Sequence, residues 1–300
     1  MVWYFPDYLF ILYCVYVPLL FIFYIFEIVL ILRFKQTHFK SSFYTIFAVG
    51  GIMDLTNEIT AIILYKVGST PLINSVYNNV GESSIFLQII FGISFYCGGV
   101  QEMVNMTIAA NRMSAIVFYS KHHKIWKTLT PIAIILILVV PLSFTWYIFF
   151  SPLAMMPFPF HDFSMFVTIS NYRTQFPWAN ESSELSTALI VGPVVCAVLY
   201  LITAYFIRGR SASASDRRLI LLGIAIVLCN VPLAVLEGIA GVVDPTSEAI
   251  IEIFFQLSWL MDVRCFAPSI LLYIFSGSMR KKIREVATRS DSVVVVSITS

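Results

Sequence analysis

The chain has 300 residues, of which 59% are hydrophobic and only 12% are charged, with a formal net charge of +2 and a mean hydropathy of +0.85. Charged residues make up about a quarter of an ordinary soluble domain. The composition therefore excludes a water-soluble globule, because too few polar side chains are present to cover its surface.

Apolar runs long enough to cross a bilayer recur along the chain. A helix of about 20 apolar residues spans the hydrocarbon core, whereas the strands of a β-barrel alternate apolar and polar side chains. Runs such as 132–142 are apolar on every face, which favours helices. We predict an all-α protein with seven spans, at residues 8–32, 42–65, 84–110, 129–150, 185–207, 219–243 and 249–275.

The first span is too long for the apolar core of a signal peptide, and no small-residue cleavage site follows it, so we expect it to stay as a signal anchor. Residues 66–83 are predicted to be a polar loop, and residues 151–184 a long loop that contains prolines. All seven spans belong to one membrane domain, residues 1–286, which ends in a short basic juxtamembrane helix. Residues 287–300 are predicted to be a disordered cytoplasmic tail.

Positive charge is concentrated on one side of the predicted membrane domain. The loops after the first, third and fifth spans, together with the C-terminal tail, hold 16 of the 19 Lys and Arg residues. Because Lys and Arg in short loops resist translocation, we expect the N-terminus outside and the C-terminus in the cytoplasm. The sequon at Asn180 falls in a loop that this topology puts outside, and it predicts a glycosylation site.

Ionisable residues inside the spans are the strongest candidates for a functional interior. Each costs several kcal/mol in a bilayer unless it is paired or hydrated, and such residues usually face the inside of a bundle. Two interpretations stay open, a purely structural polar network or a direct ligand role for at least one member. The predicted network consists of Asp54, Glu58, Glu102, Asp262 and Arg264.

Aromatic residues are frequent in the outer halves of the spans. They suit a small, partly apolar ligand, but they suit packing at the lipid interface equally well. Together with an acidic residue near the outer end of the sixth span, they provide the candidate ligand-binding residues Tyr96, Glu237 and Trp259.

A single arginine, Arg112, closes the third span. At the cytoplasmic end of a central helix, a guanidinium can bend into an intracellular cavity and donate to the backbone carbonyls of a partner protein. It can equally snorkel to the interface and only fix the topology. Position alone does not separate these two roles.

Short motifs at the span ends resemble those of nematode chemoreceptors. Asn111-Arg112-Met113-Ser114-Ala115 closes the third span, and His123-Lys124-Ile125-Trp126 opens the fourth. Phe39-Lys40-Ser41-Ser42-Phe43-Tyr44 precedes Gly51-Ile52-Met53-Asp54 in the second span. The chain resembles the serpentine chemoreceptors of the Srg superfamily over residues up to about 286, most closely class V, with class gamma or class U as alternatives.

The resemblance implies a G-protein-coupled receptor that detects a small molecule outside and signals to a heterotrimeric G protein inside. It implies that Arg112 takes the place of the coupling arginine, with Asn111 where the wider rhodopsin-like pattern has an acid. The second and seventh spans adjoin in the resembled fold, which predicts that Asp54 and Arg264 form an ion pair or share a water network. It also implies the plasma membrane of a sensory neuron, or its cilium, as the location.

A transporter or channel is the alternative function, with the buried carboxylates as a proton or ion path. The odd number of spans and the lack of internal repeats argue against it. No enzyme is expected, because the histidines lie in loops and no HExxH or phosphate-loop motif is present. We expect no cofactor, no metal and no nucleic-acid partner, and we expect the lipid bilayer as the surroundings of the spans.

Overall fold

The structure is a computed structural model that describes residues 5–67, 85–150, 153–157, 166–170, 181–208, 214–240 and 249–298. Seven of its helices are long and apolar enough to cross a membrane. The predicted seven-span helical architecture is therefore confirmed. These helices are α1 (Phe5–Arg33), α2 (Ser42–Ala61), α3 (Ile85–Val117), α4 (His122–Thr145), α5 (Glu181–Arg208), α6 (Ala214–Ala240) and α7 (Ala249–Phe275).

Short irregular turns extend two of the helices. A π-helical turn, Ile62–Val67, continues α2, and a 3₁₀ turn, Trp146–Phe150, continues α4. The π-turn carries Lys66 back into the bundle, although the sequence predicted that residue in a polar loop. In a π-turn each bond joins residue i to i+5, so the chain is wider there than in the α-helix before it.

Helix ends differ from the predicted span ends at the α3–α4 connection. The third span was predicted to end at residue 110, whereas α3 continues to Val117, and α4 begins at His122 rather than at 129. Hydropathy locates the edge of the hydrocarbon, and a helix need not stop there. Polar residues of both helix ends can therefore extend beyond the bilayer without breaking helical hydrogen bonds.

A β-hairpin lies between α4 and α5, where the sequence predicted only a loop. Strands β1 (Leu153–Pro157) and β2 (Phe166–Ser170) pair antiparallel, with Leu153 opposite Ser170 and Pro157 opposite Phe166. The β-branched residues of Phe166-Val167-Thr168-Ile169 were the available signal, since such residues favour strands. The predicted glycosylation site, Asn180, lies outside the described residues.

The interior of the bundle is built mainly from α2, α3 and α7. More than half of the apolar stretch of each of these helices is buried, against well under half for the other four spans. Side chains such as Leu19, Ile22 and Leu201 project outward from the other spans and are largely exposed. An apolar outer surface of this kind is stable in contact with lipid chains.

A final helix, α8 (Gly277–Ile298), follows α7 after the single residue Ser276. Ser276 Oγ accepts from the backbone N–H of Met279 at 3.2 Å, which caps the start of α8. Met279 is fully buried, so the first turn of α8 packs against the bundle. The helix passes the boundary at residue 286 that the sequence analysis placed before a disordered tail. An i, i+3 ion pair between Lys282 and Glu285 supports it, and the hydrogen bond from Lys282 lowers the pKa of Glu285.

Candidate functional site

Polar residues of α2 form one stripe that faces the interior. Asp54, Asn57 and Glu58 have the i, i+3, i+4 spacing that places side chains on one helix face, and all three are buried. Polar residues of α1, α3 and α7 face this stripe. The contacts divide into two groups at adjacent turns of the helices, a central cluster and a lysine cluster.

The central cluster contains Asp54, Tyr24, Gln101, Glu102 and Arg264. Asp54 accepts two hydrogen bonds, from the Tyr24 hydroxyl at 2.6 Å and from Gln101 Nε2 at 2.7 Å. Asp54 is thus linked to α1 and to α3 through neutral donors.

A glycine on α2 makes the approach of Tyr24 possible. A Cβ built on Gly51 would lie 2.8 Å from Tyr24 Cε2, closer than real Cβ atoms approach another heavy atom. Because Gly51 has no side chain, the Tyr24 ring can pack closely against α2, and its hydroxyl reaches Asp54 one turn away.

The guanidinium of Arg264 forms the charged half of the central cluster. Its Nη2 donates to Glu102 Oε1 at 2.9 Å and to the backbone oxygen of Gly98 at 3.0 Å. Gly192 of α5 lies against the same carboxylate, and a Cβ at that position would collide with Glu102 Oε2. A buried ion pair thus joins α3 to α7, and α5 closes over it.

The predicted pairing of Asp54 with Arg264 needs correction. Among the described residues the two form no direct ion pair, because Glu102 holds the guanidinium and neutral donors hold Asp54. Both residues do line one cavity of about 20 Å³, next to Asn230. A volume of this size suits about one water molecule, so the water-sharing half of the prediction stays a prediction.

The lysine cluster lies one helical turn away. Lys66 Nζ donates to Glu58 Oε1 at 2.5 Å and also to Asp262 Oδ1. The hydroxyl of Tyr16 donates to the other oxygen of Asp262. The ring of Tyr13 faces the ammonium at 4.7 Å, within the range of a cation–π interaction.

The single network predicted from the sequence is thus two clusters. Glu58 and Asp262 belong with Lys66, whereas Asp54, Glu102 and Arg264 belong to the central cluster. Hydropathy could not assign these partners, because they depend on the rotation of each helix about its axis and on the π-turn after α2.

Arg112 and Asn111 lie near the C-terminal end of α3, whereas Gln101 and Glu102 of the central cluster lie at its middle. We call this end the basic end, since it carries the α1–α2 turn, the α3–α4 turn and the start of α8. Arg112 Nη2 donates to Asn111 Oδ1 at 2.7 Å and lies 3.4 Å from Ser41 Oγ. Its guanidinium carbon stands 4.5 Å from the centre of the Phe43 ring.

Further contacts link the motifs that meet at the basic end. Asn111 Nδ2 donates to Ser42 Oγ at 2.7 Å, and Trp126 Nε1 donates to Ser114 Oγ at 2.6 Å. Three of the four sequence motifs that carried the family resemblance are therefore in contact near Arg112.

The three predicted ligand residues do not come together. Tyr96 donates its hydroxyl to the backbone oxygen of Leu138 on α4 at 3.0 Å. Trp259 is 44% exposed and donates to Gln256 on its own helix, so it lies on the outer face of the bundle. Only Glu237, which interacts electrostatically with Arg264, lies near a polar cluster.

One buried acid was missed by the sequence analysis. Glu27 of α1 is fully buried and accepts a hydrogen bond from Ser269 of α7 at 2.6 Å. Its other oxygen, Oε1, has no hydrogen-bond partner among the described residues. A charged residue inside the otherwise apolar first span was the signal that could have identified it.

Comparison with known proteins identifies similar sequences over almost the whole chain. The family model described as Srg family chemoreceptor matches residues 10–283. Serpentine receptor class gamma-2 of Caenorhabditis elegans is 24% identical over 269 residues, which cover 88% of this chain and 80% of the relative. Serpentine receptor class gamma-5 of the same organism is 21% identical over 277 residues, which cover 91% of this chain and 84% of the relative.

A shorter match has higher identity. Serpentine receptor class gamma-13 of Caenorhabditis elegans is 30% identical over 178 residues, which cover 57% of this chain and 50% of the relative. These relatives belong to class gamma, which the sequence analysis had named as an alternative to class V. The superfamily prediction is confirmed.

Proposed function

We propose a G-protein-coupled chemosensory function for this chain, which belongs to the Srg family of chemoreceptors. The protein is an integral membrane protein with several spans. In our proposal it detects a small molecule at its outer face and signals to a cytoplasmic heterotrimeric G protein. The family also suggests the plasma membrane of a sensory neuron, or its cilium, as the location.

The distribution of positive charge supports the orientation that we propose for the protein in the membrane. The loops after the first, third and fifth spans and the C-terminal tail hold 16 of the 19 Lys and Arg residues of the chain, and segments rich in these residues stay in the cytoplasm. The basic end would then meet the G protein, and the two clusters, which lie farther along the bundle from that end, would be closer to the outside. The N-terminus is outside in this arrangement.

The observation that carries the proposal is the position of Arg112. Its guanidinium contacts Asn111, Ser41 and the ring of Phe43 near the basic end of α3. A shift of α3 against the α1–α2 turn would exchange these contacts for backbone carbonyls of the G protein, which a planar guanidinium can bind with several donors.

Helix α3 also provides a mechanical connection. Glu102 and Arg112 lie ten residues apart on this helix, which is about 15 Å along the axis. A ligand that alters the contacts of Glu102 with α7 and α5 would move the same rigid element that carries Arg112. Such a ligand needs only to bind one packing of the bundle more tightly than the other to shift the population between them.

Reporter cells test the proposal and its alternative together. Cells that express the receptor and a promiscuous G protein α subunit are exposed to a chemically broad set of odorants. The receptor function predicts ligand-dependent second-messenger signals without a current across excised patches. A ligand-driven current from the purified protein in a lipid bilayer, without a G protein, would instead support the transporter or channel function.

A further inference from the structure

The lysine cluster has the chemistry of a site that recognises an ammonium group. Lys66 Nζ touches a carboxylate from α2 and a carboxylate from α7, and the face of the Tyr13 ring covers it from α1. Two carboxylates and an aromatic face are groups that bind an organic cation. In the structure, the side chain of Lys66 itself occupies this site.

The carboxyl groups of the site leave room for a further donor. Two of them, from Glu58 and Asp262, meet the single ammonium group of Lys66. Glu58 is fully buried, and its Oε2 has no hydrogen-bond partner among the described residues. A buried carboxyl oxygen without a partner is unfavourable. The three N–H donors of a free ammonium group can be oriented toward this oxygen, because such a group is not tethered to the π-turn as Lys66 is.

Lys66 reaches the carboxyl groups from an irregular stretch of backbone. Lys66 is the fifth residue of the π-helical turn Ile62–Val67. Turns of this kind are rare, and they are frequent at functional sites. A return to α-helical bonding changes the rotation by one residue, about 100° around the axis, which would carry Lys66 away from the two carboxylates.

We infer that the lysine cluster is the binding site for the ammonium group of an amine ligand, and that Lys66 occupies it when no ligand is bound. This inference rests on the proposed receptor function and names the chemical class of its ligand, a primary amine with a short apolar body. Lys66 acts as an internal competitor. The apparent affinity of the wild type for an amine is therefore lower than the intrinsic affinity of the site. It equals the intrinsic affinity multiplied by the fraction of molecules in which Lys66 has left the site.

Chemical complementation of Lys66→Ala tests the site. The substitution removes the atoms that n-propylammonium can replace, and n-propanol and propionate are the neutral and anionic probes of similar shape. The measurement is the melting temperature of the full-length receptor in lipid nanodiscs. We expect n-propylammonium, at about ten times its Kd, to raise the melting temperature of Lys66→Ala by a few degrees, and the other two probes to have no comparable effect. Wild type should need an amine concentration about tenfold higher or more.

Lys282→Ala is the matched control. Lys282 is also a buried lysine that pairs with a carboxylate, Glu285, and stands over an aromatic ring, Phe34, but it belongs to α8. An amine should not stabilise this variant. In the Lys66→Ala background, Glu58→Gln or Asp262→Asn should abolish the amine-specific shift, because each removes one of the two carboxylates.

The outcomes separate the site from the receptor function. Equal effects of amine and alcohol, or no effect of the amine on Lys66→Ala, overturn the site whether or not the receptor signals. If Lys66→Ala cannot be purified, its cell-surface amount is measured with each probe in the medium, and the absence of amine-specific recovery likewise overturns the site. Amine binding by a receptor that couples to no G protein would overturn the proposed function and keep the site.

Discussion

Arg264 of α7 donates to Glu102 of α3 at 2.9 Å, in the interior of the bundle where both side chains are almost fully buried. An ion pair in such surroundings loses the hydration of both charges, so its main effect is to fix which helix faces meet. Removal of either charge leaves the other charge buried without its partner, so single substitutions test the pair.

Arg264→Gln and Glu102→Gln should each destabilise the receptor by about 3–5 kcal/mol, since each leaves one buried charge without its partner. The double variant should lose clearly less than the sum. The free energy of unfolding of the purified protein in mixed micelles measures all three. The effects of Asp54→Asn and Arg264→Gln should be closer to additive, because these two residues interact through space without an ion-pair contact. Strict additivity for Glu102 and Arg264 would contradict their ion pair.

Arg112→Ala should abolish signalling and leave the surface amount nearly unchanged, because an arginine near the membrane interface contributes little to membrane insertion. Arg112→Lys should reach the surface and signal only partly, since an ammonium lacks the planar set of donors. Second-messenger output normalised to surface receptor separates the two effects. If Arg112 served only to fix the topology, the result would be the opposite. Arg112→Lys would signal normally, and Arg112→Ala would reach the cell surface poorly.

Gly192→Ala should weaken the contact between α3 and α7, because the added Cβ collides with Glu102 Oε2 and displaces that carboxylate. We expect a destabilisation of about 1–3 kcal/mol. Gly238→Ala on α6 is the control, since nothing lies within 4 Å of its added Cβ, and alanine there should stabilise the helix by up to about 1 kcal/mol. The melting temperatures of both variants in the same nanodiscs provide the comparison. Equal melting temperatures would show that the Glu102 side chain can move aside without cost.

Asn180→Gln should sharpen and lower the band of the receptor on a gel, as enzymatic deglycosylation of the wild type does, if the loop before α5 is outside. A tag at the C-terminus should be labelled only after the cells are permeabilised. Labelling of that tag on intact cells would reverse the proposed orientation.

The sequence was sufficient for the seven spans, because they depend on hydropathy averaged over many residues. It was sufficient for the family because short motifs at the span ends carry the resemblance. It also identified the motifs that meet around Arg112, although not that Ser41 and Ser42 would contact Asn111 and Arg112. The partners of the buried charges could not be predicted. Their identity depends on helix rotation and on a π-turn, and a run of apolar residues leaves both undetermined.

The first turns of α8 hold part of their positive charge away from the bilayer surface. Arg280 donates to the backbone oxygens of Tyr273 and Ile274 at the end of α7, and Lys282 turns inward over the ring of Phe34. Of the basic residues between 280 and 284, Lys281 and Arg284 remain exposed. Each positive charge near anionic lipid contributes about 1 kcal/mol of attraction. Because two of the four basic residues are turned away, this segment should bind a phosphatidylserine-containing leaflet with about half the attraction that its sequence suggests. Its membrane affinity should also depend less on salt concentration.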